Sequence, residues 1–252
     1  MSVQYDTPAP GVARIRIDRP GARNAIDAGV RDALHAVLVR AGEDTAVRAL
    51  VIGGMDGVFS AGGDLPSLVG LDEAAAYARL RDGHRVVSLL WNFPKPVVAA
   101  IERFAVGAGA GLALLADEIV MGEGALLSLP FAKLGLVLDW GLSGTLPRRV
   151  GPEAAMRLYA SAAAVKGREA FDLGLADRLA ADDAVMDTAI ARAAALAKSA
   201  PVAFAKAKAR QRGDAETALQ LDREAREQAA CIVSPEFAEG YAAVREKREP
   251  RF

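Results

Sequence analysis

The chain has one cysteine, Cys231, and two histidines, His35 and His84, among 252 residues. A single cysteine excludes an intrachain disulfide and any multi-cysteine metal site. Two histidines argue against a histidine-rich zinc site, so no metal is expected. No charge of one sign dominates: 31 basic against 32 acidic side chains leave a formal net charge of −1. That balance supplies no strong attraction for nucleic acid or an anionic membrane. Long apolar runs are also missing. The longest uncharged glycine-alanine stretch, Phe104 to Ala116, falls well short of the ~20 residues that a membrane span needs. The opening, MSVQYDTPAPGVARIRI, lacks the basic start and apolar stretch of a signal peptide. A soluble, cytoplasmic protein with no nucleic-acid or membrane partner is expected. What is plentiful is apolar residue: 52% hydrophobic against 25% charged, the opposite of a disordered chain. The length fits one compact domain with room for a small appendage.

Val12, Ile15 and Ile17, with Arg14 and Arg16 interleaved, predict a strand that ends at the turn-forming Arg19-Pro20-Gly21. Asp27 can cap a helix whose apolar positions Val30, Leu34, Val37, Leu38 and Ala41 keep the 3.6-residue period. Ala49 to Ile52 reads as a buried strand running into a glycine-rich turn, GGMDGVFSAGGDL. A second helix carries Tyr77, Leu80, His84, Val87 and Trp91 on one stripe and stops at Pro94 and Pro96. PVVAAI is another strand, followed by a second glycine-rich turn, AVGAGAGL, and a helix ending near Asp117. EIVM and ALLSL are strand-like, Glu118 and Glu123 read as solvated flanks, and a loop covers Gly135–Gly144. From about Ala184 strands vanish and the chain turns alanine-rich, charged and helical. Alternating strands and helices predict an α/β core over residues 1–183, followed by a helical segment over 184–252.

Both glycine turns follow a strand and precede a helix or exposed loop, so backbone N–H groups can point at a ligand there. Two donors converging on one oxygen would stabilise an oxyanion by roughly 2.7–4 kcal/mol each. The alternative is that glycine merely permits tight turns and close packing. A dinucleotide site is disfavoured, because Gly107-x-Gly109-x-Gly111 lacks the G-x-G-x-x-G spacing and lies in mid-chain. A serine-hydrolase elbow fails as well, since Gly141-Leu142-Ser143-Gly144 misses G-x-S-x-G.

Seven phrases in succession carry a resemblance: RPGARNAI (19–26), VFSAGGDL (58–65), PKPVVAAI (94–101), AVGAGAGLALLAD (105–117), GLVLDWGLSGTLPRRVG (135–151), AFDLGLADRL (170–179) and FAEGYAAVREKREPRF (237–252). In this order, over nearly the whole chain, they resemble the crotonase superfamily of enoyl-CoA hydratases and isomerases. The resemblance implies a spiral of ββα units holding the site, a C-terminal helical segment that assembles trimers or hexamers, and a coenzyme A thioester as substrate. No tightly bound cofactor is implied, coenzyme A entering as part of the substrate. It places the oxyanion donors at the N–H groups of Gly63 and Ala108, and the thioester against Ala25, Ala61, Gly63, Asp64, Leu65 and Ala108. Arg23 and Lys247 would contact coenzyme A phosphates, Lys247 those of a neighbouring subunit.

The resemblance also sharpens what is missing. Hydration in the family uses two glutamates, and the matching positions here are Gly111 and Phe131. Asp139 matches the carboxylate of family isomerases, which shuttle one proton between two carbons. Phe131, Leu138 and Trp140 would raise its pKa by excluding water. Double-bond isomerisation with Asp139 as base is therefore expected ahead of hydration by an altered route. A dehalogenase or thioesterase using Asp139 with His84 is a further alternative, since both residues match a 4-chlorobenzoyl-CoA dehalogenase pattern. A catalytically inactive thioester binder is another. RNA binding, known for a family relative, is remote at this net charge. On its apolar stripe His84 reads first as a hydrogen-bonded core residue, ahead of any catalytic role, and Cys231 reads as a buried small hydrophobe.

Overall fold

The computed structural model describes residues 2–252. Two strands open the chain, β1 (Val3–Ala9) and β2 (Val12–Ile17), paired antiparallel across a turn at Pro10-Gly11. Only β2 is legible from alternation, because the prolines Pro8 and Pro10 obscure β1. Helix α1 (Ala28–Glu43) starts where Asp27 accepts the Val30 N–H at 2.8 Å, the expected cap. Next come β3 (Ala49–Gly54), α2 (Glu73–Trp91), β4 (Val97–Ile101), β5 (Phe104–Val106), α3 (Ala108–Leu114), β6 (Glu118–Gly122) and β7 (Leu126–Ser128). The chain continues through α4 (Leu142–Val150), α5 (Pro152–Ser161), β8 (Ala164–Lys166), α6 (Gly167–Asp172) and β9 (Arg178–Ala180). Helices α7 (Val185–Leu196), α8 (Pro201–Arg212), α9 (Ala215–Ala218), α10 (Leu221–Ile232) and α11 (Pro235–Glu246) complete it. The third helix stops at Leu114, earlier than the sequence predicts, and the 135–144 loop is shortened by α4.

Six strands form one sheet in the order β1-β2-β3-β4-β6-β9, parallel except for β1, and β5-β7-β8 form a second. Every residue of β3 and β4 is buried, as a parallel strand covered on both faces requires. Alternate side chains serve two cores. Leu50, Ile52, Val97, Ala99 and Ile101 join the main core with α1 and α2. Ala49, Val51, Val98, Ala100 and Val120 pack on Val185, Ala189 and Ala193 of α7. Glu118 is not a solvated flank. Its carboxylate takes Arg178 of β9 at 2.6 Å and Arg192 of α7 at 2.7 Å, tying the helix to the sheet. Asp117 anchors α8 in the same manner: Oδ2 accepts Val97 N–H at 2.8 Å and Lys208 at 2.6 Å, while Oδ1 accepts Arg212 at 2.7 Å. The C-terminal helices are thus built into the domain. No helix among the described residues is long and apolar enough to cross a membrane.

Candidate active site

Two motif side chains fix the first glycine turn. Asn24, almost wholly buried, donates through Nδ2 to the carbonyls of Met55 (3.0 Å) and Val58 (2.7 Å) and accepts Arg19 N–H at 2.9 Å. Ser60 Oγ donates to the Asn24 carbonyl at 2.7 Å and accepts Gly62 N–H at 3.1 Å. Segment 23–26 therefore runs beside 61–64, joined by Ala61 N–H to Arg23 and Ile26 N–H to Gly62. The second turn lies against the first. A Cβ on Gly62, where φ is +95°, would stand 2.5 Å from the Val106 carbonyl oxygen and 3.6 Å from Ala108 N. Only glycine fits so close an approach at that dihedral. One on Gly109 would meet Ser60 Cβ at 2.8 Å.

The N–H groups of Gly63 and Ala108, on these abutting turns, donate to no carbonyl or side chain among the described residues. Ala108 is the first residue of α3, where the helix supplies no acceptor for it. Both residues line a cavity of about 110 Å³, bounded also by Leu65, Leu80, His84, Phe131, Asp139 and Trp140. Two free donors facing a largely apolar cavity are suited to hold a developing oxyanion.

Asp139 stands on a tight turn. Trp140 and Gly141 adopt φ of +56° and +75°, a left-handed conformation that costs a bulky residue about 1–3 kcal/mol unless packing enforces it. Packing does so here. Trp140 is nearly buried, and its Cβ would lie 2.6 Å from a Cβ on Gly111. Its ring runs 3.5 Å from where a Cβ on Gly83 would be. The space of an acid at 111 is thus filled by Trp140, and Phe131 walls another side. Asp139 keeps some surface as a residue, but its Oδ1 is shut from solvent without a hydrogen-bond partner, and Oδ2 accepts only Gln228 Nε2 at 3.2 Å. Burial, and then the nearby Glu224 carboxylate, push the Asp139 pKa up to about 8, opposed by the Gln228 hydrogen bond and the charge of Arg79.

Glu224 and Gln228 come from α10. Gln228 Oε1 accepts Val137 N–H at 2.9 Å while its Nε2 serves Asp139, so one buried amide holds both the loop and the carboxylate. Glu224 Oε1 accepts Gly141 N–H at 2.9 Å and meets His84 Nε2 at 3.1 Å, fixing the start of α4 to α2. His84 lines the cavity, yet no hydrogen bond joins it to Asp139, and its Nδ1 has no partner. The cavity brings together Ala61, Gly63, Leu65, His84, Ala108 and Asp139. Arg23, Ala25, Asp64 and Lys247 lie outside its lining: Arg23 and Lys247 are exposed, Ala25 is buried, and Asp64 pairs with Arg19 at 3.2 Å.

Gln228 and Ile232 contribute to the lining, so the site extends beyond residues 1–183 into the helical segment. Arg31, Arg79, Glu224 and Gln228 escaped the sequence reading. The available signal was the stripe Leu221, Glu224, Ala225, Gln228, Ala229, Ile232, in which two polar residues interrupt a buried helical face. No cluster of three or more His, Cys, Asp or Glu suited to a metal occurs among the described residues.

A family model described as enoyl-CoA hydratase/isomerase matches residues 8–252. The 2,3-dehydroadipyl-CoA hydratase of Escherichia coli is 32% identical over 243 residues, covering 96% of this chain and 94% of the relative. The carnitinyl-CoA dehydratase of Citrobacter koseri is 33% identical over 252 residues, covering 95% and 94%. Among solved structures, an enoyl-CoA hydratase/isomerase from Pseudoalteromonas atlantica superposes with a TM-score of 0.88 at 28% identity, over the whole of both chains. The architecture is the crotonase-like α/β fold. A match over nearly the full length, relatives above 30% identity and a shared fold lead to one conclusion: this chain belongs to the enoyl-CoA hydratase/isomerase family.

Proposed function

We propose that the protein moves the double bond of an enoyl-CoA thioester, with Asp139 as the single proton carrier. One observation carries this reading: a lone carboxylate with a pKa of about 8 shares a cavity with two free N–H donors, while Trp140 fills the space beside Gly111. The thioester carbonyl accepts from Gly63 and Ala108 N–H. Ionised Asp139 removes a proton from the carbon beside the thioester of a 3-enoyl chain, and the electron pair passes to the carbonyl oxygen as an enolate. The same carboxyl returns that proton to the far end of the former double bond, giving the 2-enoyl thioester and an ionised Asp139. No water enters the balance, so one acid-base group suffices.

Hydration or dehydration is the second reading, favoured by the names of the relatives from Escherichia coli and Citrobacter koseri. Assaying 3-enoyl-CoA isomerisation beside crotonyl-CoA hydration separates the two. Isomerisation is expected to exceed hydration at least tenfold in kcat/KM, about 1.4 kcal/mol of barrier. Hydration without isomerisation overturns the proposal.

A further inference from the structure

The cavity holds more positive charge than this reaction uses. Arg79 of α2 and Arg31 of α1 both line it. Arg31 donates Nε to Asp82 at 2.7 Å, and its side chain has no other hydrogen bond among the described residues. Its stem reaches the apolar wall, 3.6 Å from where a Cβ on Gly83 would stand, beside the Trp140 ring. Arg79 is half-buried, and its side chain forms no ion pair or hydrogen bond among the described residues. The carboxylates around it are engaged elsewhere: Asp64 with Arg19, and Asp82 with Arg31 and Arg85. Asp139 is mostly protonated at neutral pH and does not neutralise it. A partly desolvated guanidinium facing a cavity without a counter-ion is a costly arrangement that an anionic ligand group would relieve.

Position argues for the acyl end of the ligand. Arg79 lines the same cavity of about 110 Å³ as Asp139, Gly63 and Ala108. A base for proton transfer must stand beside the acyl carbons. We propose that Arg79 binds a carboxylate at the far end of the acyl chain, so that the preferred substrates are CoA thioesters of dicarboxylic acids. A planar guanidinium offers a carboxylate two parallel N–H donors, which a saturated hydrocarbon terminus cannot use. The inference rests on the reading that the thioester carbonyl lies at Gly63 and Ala108.

Calorimetric binding of hexanedioyl-CoA, hexanoyl-CoA and free CoA tests it without requiring turnover. The unmodified protein is expected to bind hexanedioyl-CoA at least tenfold more tightly than hexanoyl-CoA. Arg79→Leu should abolish that preference while leaving hexanoyl-CoA and CoA within twofold, and Arg79→Lys should keep part of it. The Arg79 side chain supports no ion pair or hydrogen bond among the described residues, so the variants should fold, which circular dichroism checks. No preference in the unmodified protein overturns the inference. An equal loss for all three ligands overturns it too, by assigning Arg79 to a CoA phosphate. Binding of none of them overthrows the thioester reading itself, and this inference with it.

Discussion

Replacing Asp139 by Asn should make the protein more stable and less active, and the gap in stability should grow with pH. In the folded chain the carboxyl titrates at about 8 against an ordinary value of 3.8. Below about pH 3 it is protonated in both folded and unfolded chains and contributes no pH dependence. As pH rises, the unfolded chain releases the proton while the folded chain retains it, so folding loses about 1.4 kcal/mol per unit. The loss reaches about 4 kcal/mol at pH 7 and levels off above about pH 8. This is an upper limit, because water admitted to the cavity reduces the desolvation that drives the shift. Asparagine is nearly isosteric, stays neutral throughout, and can still accept the Gln228 amide that now meets Oδ2 at 3.2 Å. Urea melts of both proteins at pH 4, 5.5, 7 and 8.5 measure the difference. The curves should nearly meet at pH 4 and diverge toward pH 8.5, the Asn variant being the more stable. Over the same range kcat/KM of the unmodified enzyme should rise about tenfold per unit to about pH 8 and then flatten, as for a base active when ionised. In the variant kcat should fall by roughly 10²-fold or more with thioester binding retained. Parallel stability curves would refute the shifted pKa, and full activity would remove Asp139 from the mechanism.

Gln228→Leu removes a hydrogen bond that holds the Asp139 pKa down, so the midpoint of the pH–kcat/KM profile should move upward; a loss uniform across pH would indicate a purely structural role. Gly111→Glu, which restores a family glutamate in sequence, should not install hydration, because its Cβ would stand 2.6 Å from Trp140 Cβ; about 1–3 kcal/mol of lost stability is expected in urea. A stable variant with new crotonyl-CoA hydration would contradict this. Asp117→Asn leaves Lys208 and Arg212 without their counter-charge and should cost about 3 kcal/mol or more in urea unfolding, with kcat unchanged since Asp117 does not line the cavity.

The sequence alone determined the elements whose code is local. Asp27 before an apolar 3.6-residue period marks α1, and the unbroken apolar runs of β3 and β4 mark strands covered on both faces. The two glycine turns and the lone Asp139 were legible because backbone donors and a carboxylate are chemical facts of residue type and order. Tertiary structure decided what those features face. Gln228 meets Asp139 across 89 residues of chain and Glu224 meets His84 across 140, pairings that no periodicity records. The α10 stripe shows which side of the helix is buried, but not that its two polar residues close on the 137–141 loop. Gly111 reads in sequence as an absent acid; in space it is the room that Trp140 occupies. Arg79 is one arginine among many in the chain, and its want of a partner emerges only once Asp64 is seen paired with Arg19 and Asp82 with Arg31. Local sequence fixes which faces are apolar and which dihedrals are accessible, whereas hydrogen bonds, desolvation and unpaired charge are properties of neighbours brought together by the whole fold.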